Sequence, residues 1–244
     1  MKSSLFLSII IPAYNEEQRL PGTLKSAIQF LQEQDYTSEI IIVNDGSTDK
    51  TIDTPLPSFA HPVLNIHFIH HHKNNHGKGA AVRTGVLAAQ GKLALLFDAD
   101  NSTPVEEINK LLPAIKNSDI AIGSRHLPDS NIQIEQPWHR RFLSRAANKL
   151  IQLVLLPRII DTQCGFKLFK TEAAKAIFSR ATVNRWGFDM EILFIAKKLG
   201  YSIKEIPVTW LDSPNSRVRP IKGALNTLRE LGQIRINDWK NRYS

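Results

Sequence analysis

The chain has 244 residues, 42% of them hydrophobic, enough to bury the core of one sizeable α/β domain. Its longest apolar runs, such as Leu153–Leu156 and Ile9–Ile11, fall far short of a membrane span, no N-terminal stretch has the apolar core of a signal peptide, and the single cysteine, Cys164, excludes an intrachain disulfide and fits a reducing compartment. The net charge of +8 is segregated: residues 125–244 hold 21 Lys and Arg against 10 Asp and Glu, while residues 1–124 are net acidic, so the second half faces something anionic.

In chain order, Leu5–Ile11 reads as a strand stopped by Pro12, and Gly22–Gln34 as a helix on Leu24, Ile28 and Leu31 with Pro21 near its start. Glu39–Val43 is the next strand; the turn Asn44-Asp45-Gly46-Ser47-Thr48-Asp49 then caps a helix from about Lys50, which Pro55 and Pro57 cut short. A strand at Asn65–His70, a helix at Gly77–Gln90, a strand at Leu93–Phe97, a helix over Pro104–Lys116 and a strand at Asp119–Gly123 follow. This alternation predicts βαβ units and a mostly parallel sheet in one domain spanning 1–244, without internal repeats or a dividing linker.

The stretch Leu93–Pro104 organises the rest. An apolar run suited to a buried parallel strand ends in Asp98-Ala99-Asp100, and open α/β sheets bind ligands at the carboxyl ends of their strands. In extended backbone, residues two apart point the same way, so Asp98 and Asp100 share one target; hard carboxylates of this kind suit Mg²⁺ or Mn²⁺. The plainer alternative is a turn in which Asp100 or Ser102 caps the next helix. Strand ends carrying Pro12, Ala13, Tyr14, Asn15, Glu16 and Glu17, then Asn44 and Asp45, then Gly123-Ser124-Arg125, complete a polar rim fit for a nucleotide.

The ordered set IIIPAYNEE, IIVNDGSTDKT, HGKGAAVRTG, FDADNSTP, GSRH and DTQCGFKLFK, running from about Leu5 to Arg219, resembles the family 2 glycosyltransferases of GT-A fold, and within them the dolichyl- and polyprenyl-phosphate sugar transferases. The resemblance implies a nucleotide-sugar donor, a divalent metal and transfer of a hexose with inversion. It implies that Pro12, Tyr14 and Glu16 line the nucleotide site, that Asp45 accepts from the base, that Asp98 reaches the ribose or the metal, and that Asp100 binds the metal. Ser102, where some relatives carry a further ligand, is a weak neutral one. Lys78, between Gly77 and Gly79 at a helix start, adds positive potential on the donor side, although the spacing is not that of a P-loop.

The second half is expected to hold the acceptor. Trp138–Leu156 has helical spacing of Trp138, Phe142, Ala146, Leu150, Leu153 and Val154, with a polar stripe of Arg141, Arg145, Asn148 and Gln152; it contains no acidic residue and reads as a basic amphipathic helix, either packed on its own sheet or lying on a membrane surface. The resemblance places Asp161–Lys167 near the reacting sugar and makes Asp161 a candidate for hydroxyl binding or acceptor activation; Asp189 reads as a base or as an N-cap of the helix running to Leu199. Arg125, Arg140 and Arg217 would surround an acceptor phosphate, Arg217 standing where most relatives have lysine. An anionic phosphate acceptor needs no strong general base, whereas a hydroxyl acceptor does.

The expected enzyme is therefore a metal-dependent hexosyltransferase on the cytoplasmic face of a membrane, peripherally attached, with glucose from UDP-glucose favoured over mannose from GDP-mannose by DTQCGFKLFK and WGFDMEILF. A nucleotidyltransferase is disfavoured because Pro-Ala-Tyr-Asn-Glu, not a glycine-rich loop with lysine, follows Ile11. A non-catalytic module for anionic surfaces stays open, but no aromatic-interleaved basic motif or helix-turn-helix points to nucleic acid. The cluster His70, His71, His72 and His76 lacks matching carboxylates or cysteines and reads as a loop rather than a zinc site.

Overall fold

The computed structural model describes residues 5–54, 64–70, 74–132, 148–211 and 220–244. Its centre is β1 (Leu7–Ala13), in which Leu7, Ile9, Ile10 and Ile11 are all fully buried. A strand apolar on both faces belongs inside a sheet covered on both sides. Here β2 (Ser38–Asn44) and β4 (Leu93–Leu96) flank it in parallel, with registers Leu7↔Ser38 and Leu7↔Leu93. β3 (Leu64–His70) extends the sheet beyond β2. On the other side lie β7 (Lys167–Lys170), β5 (Ile120–Ser124) and β8 (Ile203–Pro207), giving the seven-stranded order β3-β2-β1-β4-β7-β5-β8. Only β7 runs against its neighbours. β6 (Asn131–Ile132) and β9 (Thr209–Trp210) pair separately.

Alternate residues of β1 feed two cores. Ile9 and Ile11 pack on one face with Leu20, Leu24 and Leu31 of α1 (Leu20–Gln32) and Ile108 and Leu111 of α3 (Ile108–Ile115). Ile10 points to the opposite face, onto Ala81, Val82 and Val86 of α2 (Lys78–Ala88). That second layer also contains α4 (148–154), α5 (Thr171–Phe178), α6 (Phe188–Lys198) and the described turns of α7 (Pro220–Trp239).

The expected strand–helix order up to residue 124 is observed, with informative differences. β1 continues through Pro12 to Ala13: its pairing with β4 ends at Ile10↔Leu96, so no rung on that side asks Pro12 for an N–H. The helix expected from Lys50 is a single 3₁₀ turn, Lys50–Asp53, and another, Val105–Glu107, opens the helix expected at Pro104. β7 lies beyond the expected strand–helix order, and its four residues form too short a pattern to signal a strand.

Gly85 shows how tightly α2 lies on the sheet. A Cβ there would come within 2.4 Å of Ile10 Cγ2 and 3.1 Å of Val43 Cγ2, both on fully buried residues. Gly85→Ala is expected to destabilise the fold by about 1–3 kcal/mol of overpacking, outweighing a helix-propensity gain of about 1 kcal/mol. A lowered denaturant midpoint checks this; an unchanged or raised midpoint would show that the helix can lift off the sheet freely.

Candidate active site

The carboxyl ends of β1, β2 and β4 meet at the point where the chain turns from one side of β1 to the other, the position at which open α/β sheets bind ligands. The loops there are laced together. Asn15, at a left-handed φ of 56°, donates its N–H to Ser47 Oγ (2.9 Å) and accepts from the Thr48 N–H through Oδ1 (2.8 Å), and the Glu16 N–H donates to Thr51 Oγ1 (2.6 Å). The end of β1 with Pro12, and the loop after it with Tyr14 and Glu16, are thus tied to the loop bearing Asp45. Tyr14 is 37% exposed at this rim.

Asp45 is buried, and its carboxylate accepts the backbone N–H of His76 (3.0 Å) and of Gly77 (2.7 Å). It therefore fixes the entry to α2 rather than closing a turn on Gly46, and any contact with a base has to share oxygens already holding two donors. Gly77 sits at φ +112°, with Asn184 O 2.4 Å from where a Cβ would stand, so only glycine fits. The next residue, Lys78, begins α2 and reaches Asp98, Nζ to Oδ1 2.6 Å, with the Trp186 and Phe188 rings 5.4 and 5.9 Å from its ammonium. Burial lowers the Lys78 pKa, but Asp98 and Asp189 outweigh it and leave the ammonium above its ordinary value.

β4 ends at Leu96, so Asp98 and Asp100 lie in a turn and not on an extended strand. Each nevertheless faces a cation. Asp100 Oδ2 stands 3.8 Å from Arg19 Nη1, and Arg19 also forks onto Glu16 with two bonds of 2.6 Å. Burial lowers the Arg19 pKa; Glu16, Asp100 and Asp98 reverse that and hold it above its usual value. The Ser102 N–H donates to Asp100 Oδ1 (3.0 Å), so Ser102 orients this carboxylate through its backbone. Among the described residues no group of three or more His, Cys, Asp or Glu gathers as a metal cage. Two hard carboxylates, each already facing a displaceable cation, still fit Mg²⁺ or Mn²⁺, which fill their remaining positions with water and phosphate oxygens.

The segment Asp161–Lys167 arrives at the same place from the second half. A Cβ on Gly165 would lie 2.2 Å from Asp98 Oδ2, so glycine lets this loop pass directly against the carboxylate. Asp161 itself points inward. It is fully buried; Oδ2 accepts from Arg125 Nε (2.8 Å) and the Arg125 N–H (2.9 Å), and Oδ1 from Arg125 Nη2 (2.9 Å) and the Gln163 N–H (3.3 Å). Burial alone would raise the Asp161 pKa, but the Arg125 guanidinium outweighs it and holds the carboxyl far below the usual range. A carboxylate so engaged has neither the basicity nor the access of a general base, and Arg125 spends two of its nitrogens on it. The two residues expected to meet sugar and acceptor meet each other. Arg140 and Arg217, and Trp138 with most of its segment, lie outside the described residues, as do His71 and His72.

Asp189 is not an N-cap: Gly187 occupies that position, and Asp189 forms a buried ion pair with Lys167, whose ammonium also donates to the Cys164 carbonyl. Cys164 is buried, and desolvation, with Asp161 nearby, pushes its thiol up to about 11, leaving it unreactive. Sequence reading missed Arg19, Lys167 and Trp186. Arg19 carries a signal in hindsight, three residues after Glu16; Lys167 carries none, being one of two lysines in a four-residue strand.

The family model described as Glycosyl transferase family 2 matches residues 8–178. The chain is 38% identical over 246 residues to the dolichyl-phosphate beta-glucosyltransferase of Dictyostelium discoideum, covering 96% of this chain and 75% of that protein. It is 37% identical over 244 residues to the enzyme of the same name from Drosophila melanogaster, covering 95% and 74%. The crystal structure of glucosyl-3-phosphoglycerate synthase from Mycobacterium tuberculosis in complex with Mn²⁺, UDP-glucose and phosphoglyceric acid is similar in fold, with a TM-score of 0.65 at 16% identity over 94% of this chain and 79% of that one.

The Arg125–Asp161 pair has a pH signature. The folded pKa of Asp161 lies below its unfolded value of about 4, so the stabilisation is complete above that pH and is lost as the pH falls below it. Asp161→Asn leaves the Arg125 guanidinium uncompensated and is expected to cost about 3–5 kcal/mol at neutral pH, with a shallower acid loss than the parent. Melting curves from neutral to acid pH measure both; a variant of parental stability that is inactive would restore Asp161 to direct chemistry.

Proposed function

The chain belongs to glycosyl transferase family 2, and we propose that it transfers glucose from UDP-glucose to dolichyl or a related polyprenyl phosphate. The names of relatives matched over nearly the whole chain support the substrates. The observation that carries the reading is the meeting of Asp98 and Asp100 with Lys78 and Arg19 at the sheet's switch point, an arrangement of paired charges suited to a diphosphate and its cation.

In this reading Pro12, Tyr14 and Glu16 border the nucleotide, and Asp45 holds the entry of α2 that presents Lys78 to it. Asp98 and Asp100 would hold Mg²⁺ or Mn²⁺, an ion that neutralises the charge building on the departing diphosphate. Lys78, released from Asp98, adds a second positive charge at the start of α2, where the helix N-terminus already favours anions. The acceptor phosphate is ionised near neutral pH, so its oxygen attacks the anomeric carbon as the bond to the diphosphate breaks, and no side chain need remove a proton. That agrees with the inward-turned Asp161 and the ion-paired Asp189. Displacement from the opposite face inverts the anomeric centre, consistent with the beta product in the relatives' names. Arg140 and Arg217 are the residues assigned to the acceptor phosphate, together with Arg125, whose guanidinium Asp161 holds in place. No helix among the described residues is long and apolar enough to cross a membrane; the proposed attachment is peripheral, on the cytoplasmic face, where anionic lipid attracts the basic half.

The test is a panel of UDP- and GDP-sugars with Mg²⁺ or Mn²⁺ and a short polyprenyl phosphate, with products read by mass. Glucose transfer from UDP-glucose is expected, and Asp100→Asn should lower kcat/KM by roughly 10²-fold or more while weakening Mn²⁺ binding in calorimetry. Full turnover in chelator, or in folded Asp100→Asn, would overturn the metal assignment. Preference for a GDP-sugar, or for a soluble hydroxyl acceptor, would overturn the substrates.

A further inference from the structure

α7 has two apolar faces and only one of them is covered. Leu231 and Ile234 are buried with Asn237 against the fold. On the other side Leu228 is 50% exposed, Ile236 53% and Trp239 84%. Positions 228, 236 and 239 follow the i, i+8, i+11 spacing of one helical face, and Gly232, between them at i+4, has nothing near it. Exposed Arg229 and Lys240 flank the stripe.

A fourth exposed apolar side chain joins this surface because α4 is rotated from the expected orientation. Asn148, expected in a polar stripe, is buried and accepts from the Thr162 hydroxyl (3.1 Å), while Leu153, expected on the packed face, is 83% exposed. The buried line of that helix is Ile151 and Leu155 with Asn148. Arg235 of α7 donates to the Val154 carbonyl, and Leu153 and Arg235 line one open groove with Lys197 and Lys198. Asp238, the acidic residue of this groove, is neutralised by Lys198 at 2.5 Å.

The stripe also points to the reaction site. α7 runs alongside α6 in the same direction: Glu230 packs on Gly187, where a Cβ would lie 2.6 Å from its Oε2, and Asp238 pairs with Lys198 at the far end. Trp186, 53% exposed and adjoining Gly187, has its ring 5.4 Å from the Lys78 ammonium, which in turn bonds Asp98. Trp186, next to the donor-side lysine, therefore stands by the Glu230 turn of α7, and Ile236 and Trp239 lie further along the same helix.

We propose that the outer face of α7, with Leu153, is the surface by which the enzyme lies on an anionic lipid bilayer, oriented so that Trp186 and Lys78 stand at one end of the contact. The occupant follows from charge and shape together. A bilayer interface takes an apolar stripe bearing tryptophan and flanked by Lys and Arg, lying along the surface, and the surplus cations here match acidic headgroups. The surface makes chemical sense of the lipid acceptor and rests on that reading only for its purpose; its test does not depend on turnover.

Ile236→Glu with Trp239→Glu should weaken binding to vesicles of phosphatidylcholine mixed with phosphatidylglycerol by roughly tenfold or more. Wild-type binding should fall as salt rises and be much weaker on phosphatidylcholine alone. Leu153→Ser, on a separate helix, should weaken it in the same direction, and circular dichroism and melting establish that each variant is folded. Transfer to a short water-soluble polyprenyl phosphate should stay within about twofold of wild type in the double variant, since neither residue belongs to the donor site. Undiminished vesicle binding by the folded double variant overturns the proposal, as does equal binding to neutral vesicles. Dissociation of a wild-type dimer by the same substitutions, without vesicle binding, assigns the face to a second copy and also overturns it. Vesicle binding without transfer to any polyprenyl phosphate would sink the acceptor assignment and leave the surface standing.

Discussion

Everything at the carboxyl edge of the sheet depends on holding Asp98 and Asp100 together in one turn. Two carboxylates so close in sequence repel, and without compensating charge that repulsion works against the turn that presents them. The chain answers with a cation for each: Lys78 from α2 on Asp98, and Arg19 from α1 near Asp100. These cations come from opposite faces of the sheet, so both helical layers must be in place before the site is electrically balanced. The glycine at 77 and the carboxylate of Asp45 follow from the same requirement, because they set where α2 starts and hence where the Lys78 ammonium lands.

A second set of ion pairs has the opposite character. Arg125–Asp161 and Lys167–Asp189 are buried, with Asp161 and Lys167 fully removed from solvent. Pairs of this kind add little net stability over apolar packing but are costly to break, so they enforce geometry. Asp161 holds the loop that carries Gly165 across Asp98, and Lys167 ties β7 to α6, whose entrance bears Trp186 and Phe188 over Lys78. The half-buried pairs tune the site, and the buried ones hold the second half in register with it.

The sequence made the first half legible because its signals are local. Strands such as β1 and β2 are apolar runs bounded by turn residues, and the residues at their ends are those that line the rim. The second half hides its logic in distant pairings. Nothing near Asp161 announces that Arg125, 36 residues earlier, occupies its carboxylate from two directions. The helical period of residues 148–156 allowed more than one orientation, and the choice fell to Thr162, whose hydroxyl draws Asn148 inward and sends Leu153 outward. Nothing beside Lys167 in the sequence marks it for burial, because the carboxylate that compensates its charge, Asp189, comes 22 residues later.

The inversion of one strand sets how the two halves, opposite in net charge, meet within one sheet. Had the chain continued as a regular βαβ unit, β5 would have lain beside β4, and the second half would have added strands only at the far edge. Instead β7 inserts antiparallel between β4 and β5, pairing Leu93↔Lys170 on one side and Ile120↔Phe169 on the other. An antiparallel strand here leads with its amino end at the carboxyl edge of the sheet, so the residues just before it, Asp161 to Phe166, arrive at the rim with Asp98. The acidic half thus supplies the carboxylates, and the basic half delivers a loop onto them. That division suits the proposed reaction, in which a nucleotide-sugar donor and an anionic acceptor approach from different sides, and the short strand β7 brings the two halves together.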